Sequence, residues 1–217
     1  GSAVGGTLAV IIGMTAAMTP DLDVLVTRFT DDPLATWRYH RQFTHSLIFI
    51  PIGGVLAALP FLLIPSLRRA WQWVLAAAVV AYTTHAPLDI CTSYGTIFLW
   101  PFSDVRLSLD VISIIDPLFT LTLLIGVIAA AAFKQRRPTT IAFTLCMAYL
   151  LFGAWQHHRV ITAQHMLADS RGHVIERGRA MNTLGNQVLW RSIYESGGTL
   201  YADAVRVPVI GATIVRP

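Results

Sequence analysis

The stretch that shapes the whole molecule is WQWVLAAAVVAYTTHAPLDI, residues 71–90. Most of it is apolar, and a helix of this length rises about 30 Å, which matches the hydrocarbon thickness of a bilayer. Its last turns carry His85 and Asp89, which are four residues apart and therefore share one helix face. Ionisable groups are costly in hydrocarbon unless they are paired or line a wet cavity, so this helix is expected to end in a functional site.

Similar apolar stretches occur along much of the chain. Hydrophobic residues make up 54% of the 217 residues and charged residues only 13%, compared with roughly 25% charged residues in ordinary globular proteins. The composition predicts an all-α polytopic membrane protein with about four to five transmembrane helices. Besides 71–90, the predicted membrane segments are 7–18, 46–65, 116–133 and 139–156, of which the first is short.

Basic residues in two linkers predict the orientation of these helices. Arg68 and Arg69 separate the first two long stretches, and Lys134, Arg136 and Arg137 separate the last two. The positive-inside rule places both linkers in the cytoplasm, so the chain is predicted to be a multi-pass protein of the inner (plasma) membrane. Basic loops also account for the net charge of +4, and nucleic acid is therefore not an expected partner.

The composition changes after residue 156, where polar residues and glycine-containing turns become frequent. We therefore predict a transmembrane helical domain at 1–156 that carries the site. Residues 157–217 would form a C-terminal extracytoplasmic appendage. Its short extended runs, interrupted by Gly-Asn and Gly-Gly, predict β-structure.

Polar residues at the ends of the predicted helices fall on one membrane face if the helices alternate in direction. Imidazole nitrogen and carboxylate oxygen are the ligands of zinc, and also of manganese and non-haem iron. We therefore predict a divalent metal, preferably zinc, at the extracytoplasmic interface. The residues concerned are Asp21, Asp23, His40, Arg41, His45, His85, Asp89 and Asp116.

Each of these residues also has a purely structural interpretation. His85 and Asp89 could be a hydrogen-bonded pair at a helix end, and the PDLD segment at 20–23 could be a helix-terminating turn. Asp116 precedes Pro117 and suits a helix start. Only their joint arrangement favours a metal site.

Four motifs resemble the YdjM-like family of membrane-bound proteins that are described as metal-dependent hydrolases. They are PDLD, HRQFTHS, THAPLD followed by TSYGTIFLWPFS, and SLDVISIIDPL, within residues 15–120. The family is similar to the zinc-dependent phospholipase C and single-strand nuclease group, whose all-helical members split phosphate esters. The resemblance implies metal ligands at Asp23, His40, His45, His85 and Asp89, with Asp21 and Asp116 as further candidates.

The resemblance and the residues together predict a hydrolase of the phosphoesterase or phospholipase type. Metal-activated water would attack a phosphoester or another ester of a membrane lipid or lipid-linked substrate. Asp21 would act as general base or orient the ligand residues from behind, and Arg41 would neutralise the developing phosphate charge. The alternatives are a metal-ion or small-molecule transporter and a non-catalytic membrane scaffold with a structural metal.

Overall fold

The computed structural model describes residues 5–29, 31–32, 34–211 and 213–216. The chain divides into two compact units, of which the first comprises residues 1–90 and 94–108 and the second residues 91–93 and 109–217. Helices dominate the described chain, and a four-stranded sheet follows them. The predicted combination of a helical membrane protein and a C-terminal β-containing appendage is therefore confirmed.

The first unit contains four helices and most of a fifth, joined by 3₁₀ segments. The 3₁₀ segments are Thr19–Phe29 and Phe43–His45. Pro20 offers no amide hydrogen to the preceding helix, which ends at Met18 and tightens into the first of them. The helices are α1 (Gly6–Met18), α2 (Ala35–Tyr39), α3 (Ile50–Leu62), α4 (Pro65–Arg68) and α5 (Trp71–Cys91).

The core of the first unit depends on close approach between helices. A Cβ atom on Gly53 of α3 would overlap the ring of Tyr82 on α5, so only glycine allows this contact. The buried apolar residues of this core are Ile12, Ala16, Ile50, Ala57, Ala58, Leu67, Val74, Ala78 and Tyr82. Many large apolar side chains on the outer faces of the same helices are exposed, as expected for helices in contact with lipid.

The second unit contains α6 (Pro117–Phe133), α7 (Arg137–Ser170) and the sheet. The strands are β1 (Arg177–Asn182), β2 (Leu189–Ser196), β3 (Thr199–Arg206) and β4 (Ile214–Arg216), antiparallel in the order β1-β2-β3-β4. The tight turn between β2 and β3 is formed by Gly197 and Gly198, both with positive φ. The predicted Gly-Gly turn is therefore present.

Helix α7 is much longer than the predicted apolar stretch at 139–156. It runs for 34 residues to Ser170, so residue 156 lies inside it. The Gln164 amide on its C-terminal half donates to the Ser192 hydroxyl at 2.8 Å, and Val160 packs with Trp190. Packing against the sheet therefore continues the helix beyond its hydrophobic part.

The number of membrane segments differs from the prediction. Within the described residues, three helical stretches are long and apolar enough to cross a bilayer: Leu8–Val26, Trp71–Cys91 and Arg137–Ser170. The pair Ala35–His45 and Ile50–Leu62 would add a fourth, although its halves are bent by 88°. Helix α6, Pro117–Phe133, is apolar but shorter. The predicted count of four to five is therefore not confirmed.

Candidate metal centre

Four side chains of the first unit bring one potential ligand atom each to a common point. They are Asp21, His45, His85 and Asp89, and the four atoms lie within 4.8 Å of one another. His45 is fully buried and Asp89 is 8% exposed, whereas the side chain of Asp21 is half exposed. The group thus has a buried side and a side that is open at Asp21.

The four distances between a histidine nitrogen and a carboxylate oxygen match edges of a metal tetrahedron, and all six pairs of atoms lie within 4.8 Å. The Nε2 atom of His45 lies 3.4 Å from Asp21 Oδ1 and 3.2 Å from Asp89 Oδ2. The Nε2 atom of His85 lies 3.3 Å and 3.4 Å from the same two oxygens. Zinc bonds of 2.0–2.1 Å in a regular tetrahedron give ligand separations of about 3.3 Å. The residues therefore fit a four-coordinate divalent cation.

The two histidine nitrogens support the same conclusion. Nε2 of His45 and Nε2 of His85 are both buried and form no hydrogen bond, although carboxylate oxygens lie close by. Buried ring nitrogens are normally hydrogen-bonded, and an exception needs an explanation. Lone pairs that converge on a cation, and not on a neighbouring oxygen, provide that explanation.

Helix α5 supplies two of the four ligand atoms from consecutive turns. His85 and Asp89 lie 3.4 Å apart between Nε2 and Oδ2, as their spacing of four predicts. The same helix also fixes the turn that carries His45, because the Tyr82 hydroxyl donates to the Thr44 carbonyl at 2.7 Å. Tyr82, His85 and Asp89 thus follow each other at intervals of three and four along one face of α5.

Asp23 lies behind the cluster and organises the segment 40–45. Its Oδ1 lies 2.6 Å from His40 Nδ1, and its Oδ2 accepts from the Thr44 hydroxyl at 2.8 Å and from the Arg41 amide at 2.9 Å. The structure therefore exchanges the predicted roles of two aspartates: Asp21 offers an oxygen to the cluster, and Asp23 holds the histidine-bearing segment. His40 likewise faces Asp23 through Nδ1 and does not belong to the four-atom group.

Arg41 lies directly beside the four-atom group. Its Nε is 3.2 Å from Asp89 Oδ2, and its guanidinium carbon lies 4.8 Å from the ring centre of Tyr94. Its backbone adopts a positive φ of 62°, which turns the buried side chain towards α5. The charge that was predicted to contact phosphate is thus held next to a candidate metal ligand.

A second arginine also lies close to the Tyr94 ring. The guanidinium carbon of Arg106 is 5.6 Å from that ring centre, and its Nη atoms donate to backbone carbonyls of Gly95, Trp37 and His40. Burial, and to a smaller extent the charge of Arg41, lowers the pKa of Arg106. The region around Tyr94 therefore concentrates positive charge.

Asp116 belongs to the second unit, where its carboxylate has two hydrogen-bond donors. It caps α6 by accepting from the Phe119 amide at 3.0 Å, and it accepts from the Tyr149 hydroxyl at 2.9 Å. These contacts match the structural interpretation as a helix start. The four-atom group does not include it.

Sequence reasoning missed the supporting roles of Thr44, Tyr82, Tyr94 and Arg106. Tyr94 lies within TSYGTIFLWPFS, a motif that carries the resemblance. The motif does not indicate that Tyr94 contacts Arg41 and Arg106. These contacts join residues that are distant in the sequence, so only the folded structure shows them.

Comparison with known proteins identifies the family of the chain. The family model described as YdjM inner membrane protein matches residues 2–160. The chain belongs to this family. The YdjM family is one of inner membrane proteins, which agrees with the apolar helices and confirms the predicted membrane localisation in its general form.

A curated protein is similar to part of the chain, and no solved structure matches it. The relative is the uncharacterized protein YfhP of Bacillus subtilis (strain 168), with 30% identity over 110 residues. The alignment covers 49% of this chain and 32% of that protein. The chain thus spans about a third of the length of this relative.

Proposed function

We propose that this member of the YdjM family is a membrane-embedded metal-dependent hydrolase that cleaves a phosphoester of a lipid or lipid-linked substrate. The observation that supports it most is the convergence of His45, His85, Asp21 and Asp89 on one point, with Arg41 beside them. Zinc is the ion that best suits two imidazoles and two carboxylates at these separations. We further propose that the site faces the extracytoplasmic side.

Each residue of the site would have a distinct task. When bound, a divalent cation would polarise the ester and lower the pKa of a water molecule to about 7. Arg41 would bind a phosphate oxygen, since guanidinium groups match phosphate geometry. The Asp23 carboxylate holds His40 at Nδ1, which leaves the His40 Nε2 atom to accept a proton from the attacking water or to return it to the leaving group.

The charges around the site favour an anionic substrate. With a divalent cation bound, the carboxylates of Asp21, Asp89 and Asp23 would be more than balanced by the ion and by Arg41 and Arg106. A net positive site attracts a phosphate-bearing molecule and stabilises the charge that develops on it. A neutral carboxylic ester would gain less from this arrangement.

A structural metal in a non-catalytic scaffold is the second candidate function. Four protein ligands would fill a tetrahedral ion, as in structural zinc sites, whereas catalytic sites keep a position for water. The half-exposed side chain of Asp21 favours the enzyme, because this carboxylate can move aside or leave room for a fifth ligand. Substitution of Asp21 separates the two possibilities.

The test combines metal analysis with turnover. In the purified full chain, we expect about one zinc per protein, and we expect His85→Ala and Asp89→Asn to lose most of it. The exposed Asp31→Asn, which lies outside the cluster, is the matched control. Phospholipids and bis-p-nitrophenyl phosphate are the substrates.

The two candidates predict different results for Asp21→Asn. A catalytic centre would retain metal and lose activity at least tenfold, whereas a structural centre would show no turnover in any variant and a lower melting temperature in Asp21→Asn. Unchanged metal content in His85→Ala would overturn the ligand assignment itself.

A further inference from the structure

A groove lies beside the segment that carries His40 and Arg41. Its volume is about 670 Å³, which lies within the range of about 300–1,000 Å³ found for small-molecule sites. Its apolar lining consists of Leu34, Trp37 and Ile97, and its polar lining of Arg38, Gln42, Asp104 and Arg106. The groove therefore offers an apolar wall and charged groups to the same molecule.

The aromatic wall of the groove is held in place by an arginine. The guanidinium carbon of Arg106 lies 5.5 Å from the Trp37 ring centre, and its Nη2 donates to the Trp37 carbonyl at 3.0 Å. The Trp37 residue is nonetheless 67% exposed. An exposed indole whose backbone and one ring face are fixed provides a preformed contact surface.

The charge of the groove favours an anion. Within the part of the chain that the structure describes, no carboxylate lies within 4 Å of the Arg106 guanidinium. Arg38 contacts Asp32 at 3.5 Å, with the Arg38 side chain 61% exposed and the Asp32 side chain 32% exposed, and ion pairs that are open to solvent are weak. The lining contributes two guanidinium groups and a single carboxylate, Asp104.

The position of the groove in the first unit suits a membrane lipid. Its wall includes α2, and the Ala35–His45 segment is bent by 88° from the apolar helix α3. If α3 follows the bilayer normal, α2 runs along the membrane surface, where tryptophan is preferred. An amphiphile with its chain in the bilayer would meet the groove at the level of its headgroup.

The groove is linked to the candidate metal centre through Arg106 and the segment that carries His40 and His45. Arg106, which lines the groove, donates to the His40 carbonyl from both Nη atoms, and the His40 and His45 rings are 5.9 Å apart. Arg106 also shares the Tyr94 ring with Arg41. One short segment thus forms both the wall of the groove and a side of the centre.

We propose that this groove binds a phospholipid with an anionic headgroup, the chain lying against Leu34, Trp37 and Ile97 and the headgroup near Arg38 and Arg106. The binding of the lipid is independent of the proposed function. Its role as the substrate rests on the proposed function.

The experiment measures lipid binding without turnover. The detergent-solubilised full chain is titrated with dioleoyl phosphatidylglycerol, dioleoyl phosphatidylcholine or glycerol 3-phosphate, and bound ligands are counted by native mass spectrometry. We expect phosphatidylglycerol to bind about tenfold more tightly than phosphatidylcholine. Both lipids carry a phosphate, but the quaternary ammonium of phosphatidylcholine cancels its net charge and is repelled by the two guanidinium groups of the groove. Trp37→Ala and Arg38→Gln should each weaken phosphatidylglycerol binding by about tenfold.

Matched controls separate the groove from general lipid contact. Trp73, 69% exposed, is as open as Trp37, so Trp73→Ala should leave phosphatidylglycerol affinity unchanged. Arg69→Gln, at an exposed arginine outside the groove, should do the same. Equal affinity for both lipids, equal losses in the controls, or equally tight binding of glycerol 3-phosphate would overturn the proposal.

Zinc content, measured in the same samples, keeps the two proposals distinct. Trp37→Ala should retain the zinc of the parent chain, because Trp37 contributes no ligand atom. Selective lipid binding in a chain without zinc would support the groove and contradict the metal centre. Zinc binding without lipid selectivity would support the metal centre and contradict the lipid-binding groove.

Discussion

Thr44 determines which nitrogen of His45 can face the candidate metal centre. Its hydroxyl donates to Asp23 Oδ2 at 2.8 Å, because a carboxylate can only accept. The Thr44 hydroxyl oxygen lies 2.9 Å from His45 Nδ1. Because its own hydrogen is used on Asp23, this oxygen must accept a hydrogen from Nδ1. In the neutral ring this leaves the lone pair on Nε2, the atom that belongs to the four-atom group.

The first prediction follows from this hydrogen-bond chain. Thr44→Val removes the acceptor for Nδ1–H but keeps the shape of the side chain, so zinc affinity should fall by about 10–100-fold. Thr44→Ser, which retains the hydroxyl, should restore most of it. Competition with a zinc-selective chelator measures the affinity.

Thr83→Val is a control on the neighbouring helix, since the Thr83 hydroxyl is exposed and donates to the Val79 carbonyl of its own helix at 2.7 Å. It should leave zinc affinity unchanged. If Thr44→Val behaved like Thr83→Val, the hydroxyl of Thr44 would have no part in orienting His45.

At the level of elements, the site depends on how closely α3 approaches α5. Gly53 of α3 contacts the ring of Tyr82, and the hydroxyl of Tyr82 holds the Thr44 carbonyl. A displaced Tyr82 would therefore loosen the turn that carries His45. The packing of α3 against α5 thus sets the geometry of the centre, although α3 itself contributes no atom to the four-atom group.

Gly53→Ala tests this contact, and the sign of the effect is informative. Alanine normally stabilises a helix relative to glycine by up to about 1 kcal/mol, but here its Cβ would overlap Tyr82. We expect a net loss of about 1–3 kcal/mol of stability, as for other overpacked cores, and weaker zinc binding. Thermal unfolding in detergent and the chelator assay measure the two effects.

Gly6→Ala is the matched control because a Cβ at Gly6, which begins α1, meets no atom within 4 Å. It should be neutral or slightly stabilising. A stabilising effect of Gly53→Ala would show that α3 and α5 are packed less closely than the structure indicates.

At the scale of the molecule, the distribution of basic loops predicts which side of the membrane each end of the helices faces. Arg68 and Arg69 lie between α3 and α5, whereas the loop with Arg106 lies on the opposite, extracytoplasmic side in this prediction. Arg106 departs from the charge rule, and its contacts with three backbone carbonyls give it a local structural role. The orientation therefore calls for a direct measurement.

Labelling of single cysteines in intact cells provides that measurement. In a chain with Cys91→Ala and Cys146→Ala, a membrane-impermeant maleimide should label Val105→Cys and should not label Ser66→Cys. Both positions should react after permeabilisation, because both Val105 and Ser66 are exposed. Labelling of Ser66→Cys alone in intact cells would place the candidate centre on the cytoplasmic side.

The sequence by itself determined the features that depend on local order. The apolar stretches 71–90 and 7–18 became helices with nearly the predicted limits, Trp71–Cys91 and Gly6–Met18. The spacing of His85 and Asp89 placed them on one face, and glycine-containing turns marked the sheet. Hydrophobic periodicity and turn preference depend on residues that are close in the chain, so the sequence alone predicts them.

Only the tertiary structure decided which polar residues meet. Asp21 and Asp23 are two positions apart and do not face the same way on a helix, but their spacing alone does not decide which of them reaches the centre, and the resemblance favoured Asp23. The choice depends on His40, Thr44 and α5, which approach from distant parts of the chain. Contacts of this kind are fixed by packing across the folded unit, because their free energy depends on distance in space and not on spacing in the sequence.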